Sequence, residues 1–130
     1  MASLFSKIVQ GEIPCHKLAE DDRFLAFLDV RPVRSGHALV IPKQEIDYLF
    51  DLDDNLLADL MVFAKPIAKA IERVVPCKRI GVMVVGLEVP HAHVHLIPID
   101  RIADLNFAHA QPAETDLLAE LAEQIRSQLA

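Results

Sequence analysis

The sequence predicts an α+β fold, an antiparallel β-sheet packed on one long helix with a short helix at each end. Three observations carry this. Five short apolar runs lie close together between turn residues, as in a meander. One apolar stripe recurs at helical period from Leu56 to Ile71. Near each end a hydroxyl, Ser3 or Thr115, precedes a further apolar repeat.

Ser3 precedes Leu4, Phe5 and Ile8, which predicts a serine-capped short helix ended by Gly11 and Pro14. Residues 16–19 read as a strand, Glu20-Asp21-Asp22 as a turn and residues 23–29 as a second strand. Residues 30–36 hold Pro32 and Gly36 and read as a loop, and residues 37–41 form a third strand closed by Pro42. Residues 51–55 offer capping side chains for a helix with the stripe Leu56, Leu57, Leu60, Met61, Ala64, Ile67, Ala68 and Ile71. Pro66 inside it removes one backbone hydrogen bond and predicts a kink; Pro76 ends the element. Residues 79–85 are an apolar strand, Gly86 a bulge or turn, and residues 91–97 a fifth strand. Residues 99–113 read as irregular. Thr115 then caps a last helix with the stripe Leu118, Leu121, Ile125 and Leu129.

At 130 residues the chain fits a single domain over residues 1–130. Hydrophobic residues make up 52% of it, enough for a core without staples. No apolar run reaches the roughly 18 residues that span a bilayer, and the first ten residues lack a signal-peptide layout. A cytoplasmic protein with no membrane partner is expected, and Cys15 and Cys77 read as inert thiols of a reducing compartment. The formal charge is −6, with one Tyr and no Trp, which argues against nucleic-acid binding. Any phosphate must therefore be held by a local site.

The segment His91-Ala92-His93-Val94-His95-Leu96-Ile97 carries the chemistry. In a strand, alternate side chains share a face, so Ala92, Val94 and Leu96 point to the core and the three histidines point away. A merely polar face has no need of a titrating side chain. A zinc site is a second reading, but three histidines in a row do not readily converge on one ion. The third reading is nucleophilic catalysis: neutral imidazole is a good nucleophile, and its neighbours, if partly protonated, could bind phosphate oxygens.

The pattern His-φ-His-φ-His-φ-φ, with φ apolar, resembles the signature of the histidine-triad family of nucleotide hydrolases and transferases. The segments Leu4 to Pro14, Phe27 to Pro32 and Gly36 to Lys43 are similar to that family too. The resemblance implies that His93 attacks the α-phosphorus to form a nucleotidyl–histidine intermediate, which water resolves to a nucleoside monophosphate. It implies that His91 and His95 orient the nucleophile and contact phosphate, with His37 beside them. Asp29 would accept from the ribose hydroxyls, and Phe5, Ile8, Phe27 and Val30 would sandwich the base. A homodimer built around the long helix is implied as well, and the outer side of that helix, with Phe63, offers apolar surface for it.

The chain departs from the family in two places. Gly86-Leu87-Glu88-Val89-Pro90 stands where one branch has Gly-Gln-Ser or Gly-Gln-Thr. A carboxylate beside phosphate costs Coulomb energy unless it is protonated or paired; a protonated Glu88 would instead serve a leaving amine. Some relatives bind structural zinc through a Cys-x-x-Cys and a histidine, at positions that here are Ser3, Ser6 and Glu45. No metal and no cofactor are expected. The function expected is hydrolysis of a purine nucleoside phosphoramidate or related conjugate. The alternatives are a purine nucleotide-binding module with little catalysis, a dinucleoside polyphosphate hydrolase, or a metal-dependent enzyme on the three histidines.

Overall fold

Helix α1 (Leu4–Val9) starts as the sequence predicts: the Ser3 side chain accepts from the Ser6 N–H. The computed structural model describes residues 2–129. The one-domain reading of residues 1–130 also takes in Met1 and Ala130, which lie outside the described residues. Strands β1 (Lys17–Glu20), β2 (Phe24–Leu28) and β3 (Ala38–Pro42) follow as consecutive antiparallel neighbours. Helix α2 (Asp54–Val74) is capped by Asp53, whose carboxylate accepts from Leu56 N–H at 2.8 Å. Strands β4 (Arg79–Met83) and β5 (Val94–Ile99) and helix α3 (Thr115–Ser127) complete the elements. Short 3-10 turns occupy Ile102–Asp104 and Phe107–His109 in the segment expected to be irregular.

The sheet is five-stranded and antiparallel, in the order β1-β2-β3-β5-β4. Strand β5 therefore enters between β3 and β4, which places the residues around the triad at the centre of the sheet. Alternation along the strands gives each face its own apolar layer. On one face Phe24, Ala26, Leu28, Val40, Val94 and Leu96 pack under α2 and α3. On the other, Leu25, Phe27, Leu39 and Ile41 pack with Phe5 of α1, and this smaller layer is the floor of the histidine cluster. Burying each such side chain contributes about 1.5–3 kcal/mol.

The strand carrying the triad begins later than the sequence predicts. Residues 91–93 precede β5, and of the three histidines His95 alone lies within it. The reason lies on the facing strand. The β3–β5 ladder pairs Ala38 with Leu96 and Val40 with Val94, and β3 ends at Pro42, which has no N–H to extend it. The backbone of the triad turns to loops instead: His91 N–H donates to Val89 O and Ala92 N–H to Ile46 O. The alternation of faces nonetheless holds, with Ala92, Val94 and Leu96 in the core.

Helix α2 runs unbroken through Pro66, which is on the exposed side, where water can meet the carbonyl it leaves unpaired. Its buried stripe is Leu56, Leu60, Ala64, Ile67, Ala70 and Ile71; Met61, assigned to that stripe from sequence, is exposed. Phe63 turns inward onto the Phe24 ring, with centroids 5.3 Å apart, rather than outward. Glu114, not Thr115, is the N-cap of α3, and it makes no side-chain cap bond. Gly36 ends the loop before β3 with φ +91°, and a Cβ there would lie 2.9 Å from Val75 Cγ2 and 3.1 Å from Pro98 Cγ.

Candidate active site

Four imidazoles gather on the α1 side of the sheet, around the centre where β3 and β5 pair. His95 lies opposite Leu39 of β3 and Met83 of β4. His37 immediately precedes β3, and its ring centroid is 5.1 Å from that of His95. The His93 ring is 4.9 Å from His95 and meets the Phe5 ring edge-on at 4.9 Å. All four are buried, so the polar face expected from alternation is an enclosed cluster and not an open surface.

Each ring's tautomer follows from its partners. Val33 N–H donates to His37 Nδ1 at 3.0 Å, so neutral His37 carries its proton on Nε2. That Nε2–H donates to His95 Nδ1 at 2.9 Å, which leaves the His95 proton on Nε2. His91 Nε2–H donates to the Pro42 carbonyl at 2.7 Å, and its Nδ1 accepts from the Ser3 hydroxyl at 2.9 Å. His93 Nδ1–H donates to the His91 carbonyl at 2.7 Å. His93 Nε2 is thereby an unprotonated nitrogen with no hydrogen-bond partner among the described residues. Of the four rings, it alone offers a free lone pair.

Burial holds the neighbouring rings neutral. It lowers the His95 pKa to about 3, with His37 and His93 adding to the effect. Burial also lowers the pKa of His91, against the Pro42 hydrogen bond, and that of His37, against the Asp29 charge. The condition under which the neighbours would bind phosphate as cations is therefore not met: they are neutral hydrogen-bond donors. His91 is corrected further. Both its ring nitrogens are occupied and it is 0% exposed, so it can orient its neighbours but cannot touch a phosphate.

The other predicted residues divide. Phe5, Phe27 and Ile8 lie together in one apolar layer, the Phe5 and Phe27 rings 5.7 Å apart. Val30 is not part of that layer; it is 57% exposed, and its carbonyl accepts from Ala113 N–H. Asp29 stands beside His37, with Oδ2 3.6 Å from His37 Nε2, while its Oδ1 accepts from Arg31 N–H. Glu88 and Leu87 are exposed in the loop after β4, Leu87 at 88%. Phe107 was not singled out from the sequence. Its ring covers His95 at 4.9 Å, from a segment whose one local signal is Asn106 capping a 3-10 turn. The loop carrying Asp29 and His37 is tied to the segment after β5 by an Arg34–Asp104 ion pair of 2.5 Å. The Asp100 and Arg101 N–H groups and Arg34 hold the Asp104 carboxyl at about 2.

Asp29, His37 and His95 bring possible metal-ligand atoms within 4.8 Å of one another. Their donor chemistry does not fit an ion. His37 Nδ1 is already an acceptor, so ligation through Nε2 would require a doubly deprotonated ring. The positions at which the resemblance raises zinc, Ser3, Ser6 and Glu45, do not fit either. Hydroxyls are poor zinc ligands beside thiolates, and these are committed: Ser6 Oγ donates to Glu45 Oε1 at 2.6 Å and Ser3 Oγ to His91.

An antiparallel sheet that presents one imidazole lone pair above an apolar floor, ringed by neutral donors, defines a class of protein suited to nucleophilic attack on a charged group. The family description HIT domain matches residues 10–102. Over 100 residues the chain is 43% identical to adenosine 5'-monophosphoramidase hnt1 of Schizosaccharomyces pombe, covering 75% of this chain and 74% of that one. Among solved structures, a Hit-like protein involved in cell-cycle regulation from Bartonella henselae superposes with a TM-score of 0.86 at 33% identity, covering 97% and 95% of the two chains. A zinc-bound histidine triad family protein from Mycobacterium smegmatis gives 0.84 at 28% identity, covering 99% and 94%. The chain belongs to the HIT, or histidine-triad, family. At the level of the family this supports a nucleotide hydrolase.

Proposed function

We propose that this protein hydrolyses a purine nucleoside phosphoramidate or related nucleotide conjugate through His93. The single observation that carries the reading is the His93 Nδ1–H bond to the His91 carbonyl, which leaves the Nε2 lone pair free. In the first step Nε2 forms a bond to the α-phosphorus and the phosphorus–nitrogen bond to the leaving amine breaks. The departing amine takes a proton from solvent, while the His95 Nε2–H stays on its ring and donates a hydrogen bond to a phosphate oxygen. The His91 carbonyl stabilises the positive charge on the modified ring. In the second step water attacks phosphorus and releases a proton to solvent, the bond to His93 breaks, and the nucleoside monophosphate leaves.

In the same reading Asp29 accepts from the ribose hydroxyls, Phe5, Ile8 and Phe27 hold the base, and Glu88 borders the leaving group. The name of the S. pombe relative supports the phosphoramidate over a dinucleoside polyphosphate. The reading treats residues 1–130 as one domain, acting in the cytoplasm as a homodimer that binds neither nucleic acid nor membrane. Among the described residues no helix is long and apolar enough to cross a membrane.

The test is release of AMP from adenosine 5′-phosphoramidate by the wild type and by His93→Ala, with AMP affinity measured for both. Turnover by the wild type, a loss of at least about 10³-fold in the variant and retained AMP affinity support the assignment. A second reading, a nucleotide-binding module, draws on the exposed Leu87 and Glu88, which offer no hydroxyl or amide to the leaving group. AMP binding without turnover in either protein would favour it.

A further inference from the structure

We propose that Ser3, Ser6 and Glu45 are positioning residues that lock the ring of His91 and, through its carbonyl, aim the nucleophile His93. The inference rests on the catalytic reading for its kinetic arm but has a readout of its own.

The Glu45 carboxylate lies outside the histidine cluster, on the chain just past β3. Its Oε1 accepts from Ser3 N–H at 2.5 Å and from Ser6 Oγ–H at 2.6 Å. With the Ser6 hydroxyl proton committed to Glu45, the Ser6 oxygen 3.4 Å from His91 Nδ1 cannot donate there. The Ser3 hydroxyl accepts from Ser6 N–H at 3.0 Å, so its own proton is directed to His91 Nδ1. Glu45 thus fixes the Ser6 hydroxyl and the Ser3 backbone, and the Ser6 N–H fixes the Ser3 hydroxyl. Beyond it, His91 must carry its proton on Nε2, where the Pro42 carbonyl receives it.

The His91 ring is held at both nitrogens, and its backbone is held on both sides, by the His91 N–H bond to Val89 O and the Ala92 N–H bond to Ile46 O. Its carbonyl is therefore fixed in place, and that carbonyl sets the tautomer and tilt of His93. The proposed reaction needs no chemistry from Ser3, Ser6 or Glu45. Their effect is on the fraction of molecules whose Nε2 is aimed and unprotonated, a kcat effect and not a substrate-affinity effect.

Ser3 also caps α1, so the decisive variants separate the cap from the tether. Glycine is nearly as good an N-cap as serine, at a cost of a few tenths of a kcal/mol, but has no hydroxyl; threonine keeps both roles. The experiment records ring 15N signals of His91 and His93, with kcat and KM for adenosine 5′-phosphoramidate, in the wild type, Ser3→Gly, Ser3→Thr and Glu45→Ala. In the wild type, His91 should be a single Nε2–H tautomer and His93 a single Nδ1–H tautomer. Ser3→Gly should shift the His91 Nδ1 signal and lower kcat about tenfold or more, with KM within about twofold. Ser3→Thr should restore both, and Glu45→Ala, at an exposed position outside α1 that leaves the Ser3 cap hydroxyl in place, should change them in the direction of Ser3→Gly.

Wild-type signals showing His91 exchanging between tautomers would overturn the proposal. So would wild-type His91 signals in Ser3→Gly and Glu45→Ala. Should the wild type not turn over this substrate, the catalytic reading fails, yet the ring signals still decide the tether.

Discussion

At the scale of the residue, the cost of burying the neutral rings of His37, His91 and His95 has a sign that can be worked out. His95 has a pKa of about 3 in the folded chain against 6.5 unperturbed. Between those values the unfolded chain binds a proton that the folded chain does not, so stability rises with pH across that window. The contribution is complete above about pH 7 and is lost as the pH falls toward 3; His37 and His91 act in the same direction. Glu45 and Asp104, each held at about 2, lose their contribution at lower pH, as it falls from the ordinary carboxyl range toward 2. The thermal midpoint should therefore begin to fall between pH 7 and 5, ahead of the carboxylates, and His95→Asn should flatten that part of the profile. A midpoint constant from pH 7 to 5 in the wild type would show that the cluster is not buried neutral. The face shared by His91, His93 and His95 was legible in the sequence because alternation alone fixes it. The lock on His91 was not, since it joins atoms 88 and 49 positions away along the chain. No local pattern reports such a meeting.

At the scale of the element, all five strands and all three α-helices were legible, since short apolar runs and a helical stripe are local signals. The start of β5 was not. It depends on Pro42, on the strand that β5 pairs with, and on loop carbonyls that take the N–H groups of residues 91 and 92. Phe63 was misplaced for a similar reason, because its inward turn depends on Phe24 of another element. Gly36 links element to site. It sits in the left-handed region against Val75, Pro98 and Ile71, one residue before His37. Gly36→Ala should destabilise the fold by about 1–3 kcal/mol through strain and overpacking, as read from urea unfolding. It should also loosen the His37–His95 hydrogen bond. Unchanged stability would mean that the α2 end and β5 yield to the extra methyl group.

At the scale of the whole molecule, the strand order was not legible, because the insertion of β5 between β3 and β4 is a long-range choice among pairings that the same runs allow. Nor was the division of the core into a large layer under α2 and α3 and a small one under α1. The expected homodimer belongs to this scale too. The apolar surface open to such a dimer is not Phe63 but the exposed Met61 and Val62 of α2, with Val82 on β4, an edge strand whose outer side is unpaired among the described residues. Sedimentation velocity should show a dimer at micromolar concentration, and Val62→Glu with Val82→Lys should convert it to monomer while the isolated fold persists. A wild-type monomer at high concentration would remove the dimer from the proposal.

The relay of hydrogen bonds through the cluster has one more consequence, for reagents and not for substrates. An acylating electrophile needs an imidazole lone pair, and inside the cluster three of the four are spent on Val33, His37 and Ser3. Such a reagent meets one reactive nitrogen there, on His93, so a cluster dense in histidine behaves toward it as a site with a single titre. The chain can then be labelled at its nucleophile in the folded state, while unfolding releases the other three rings to the same reagent.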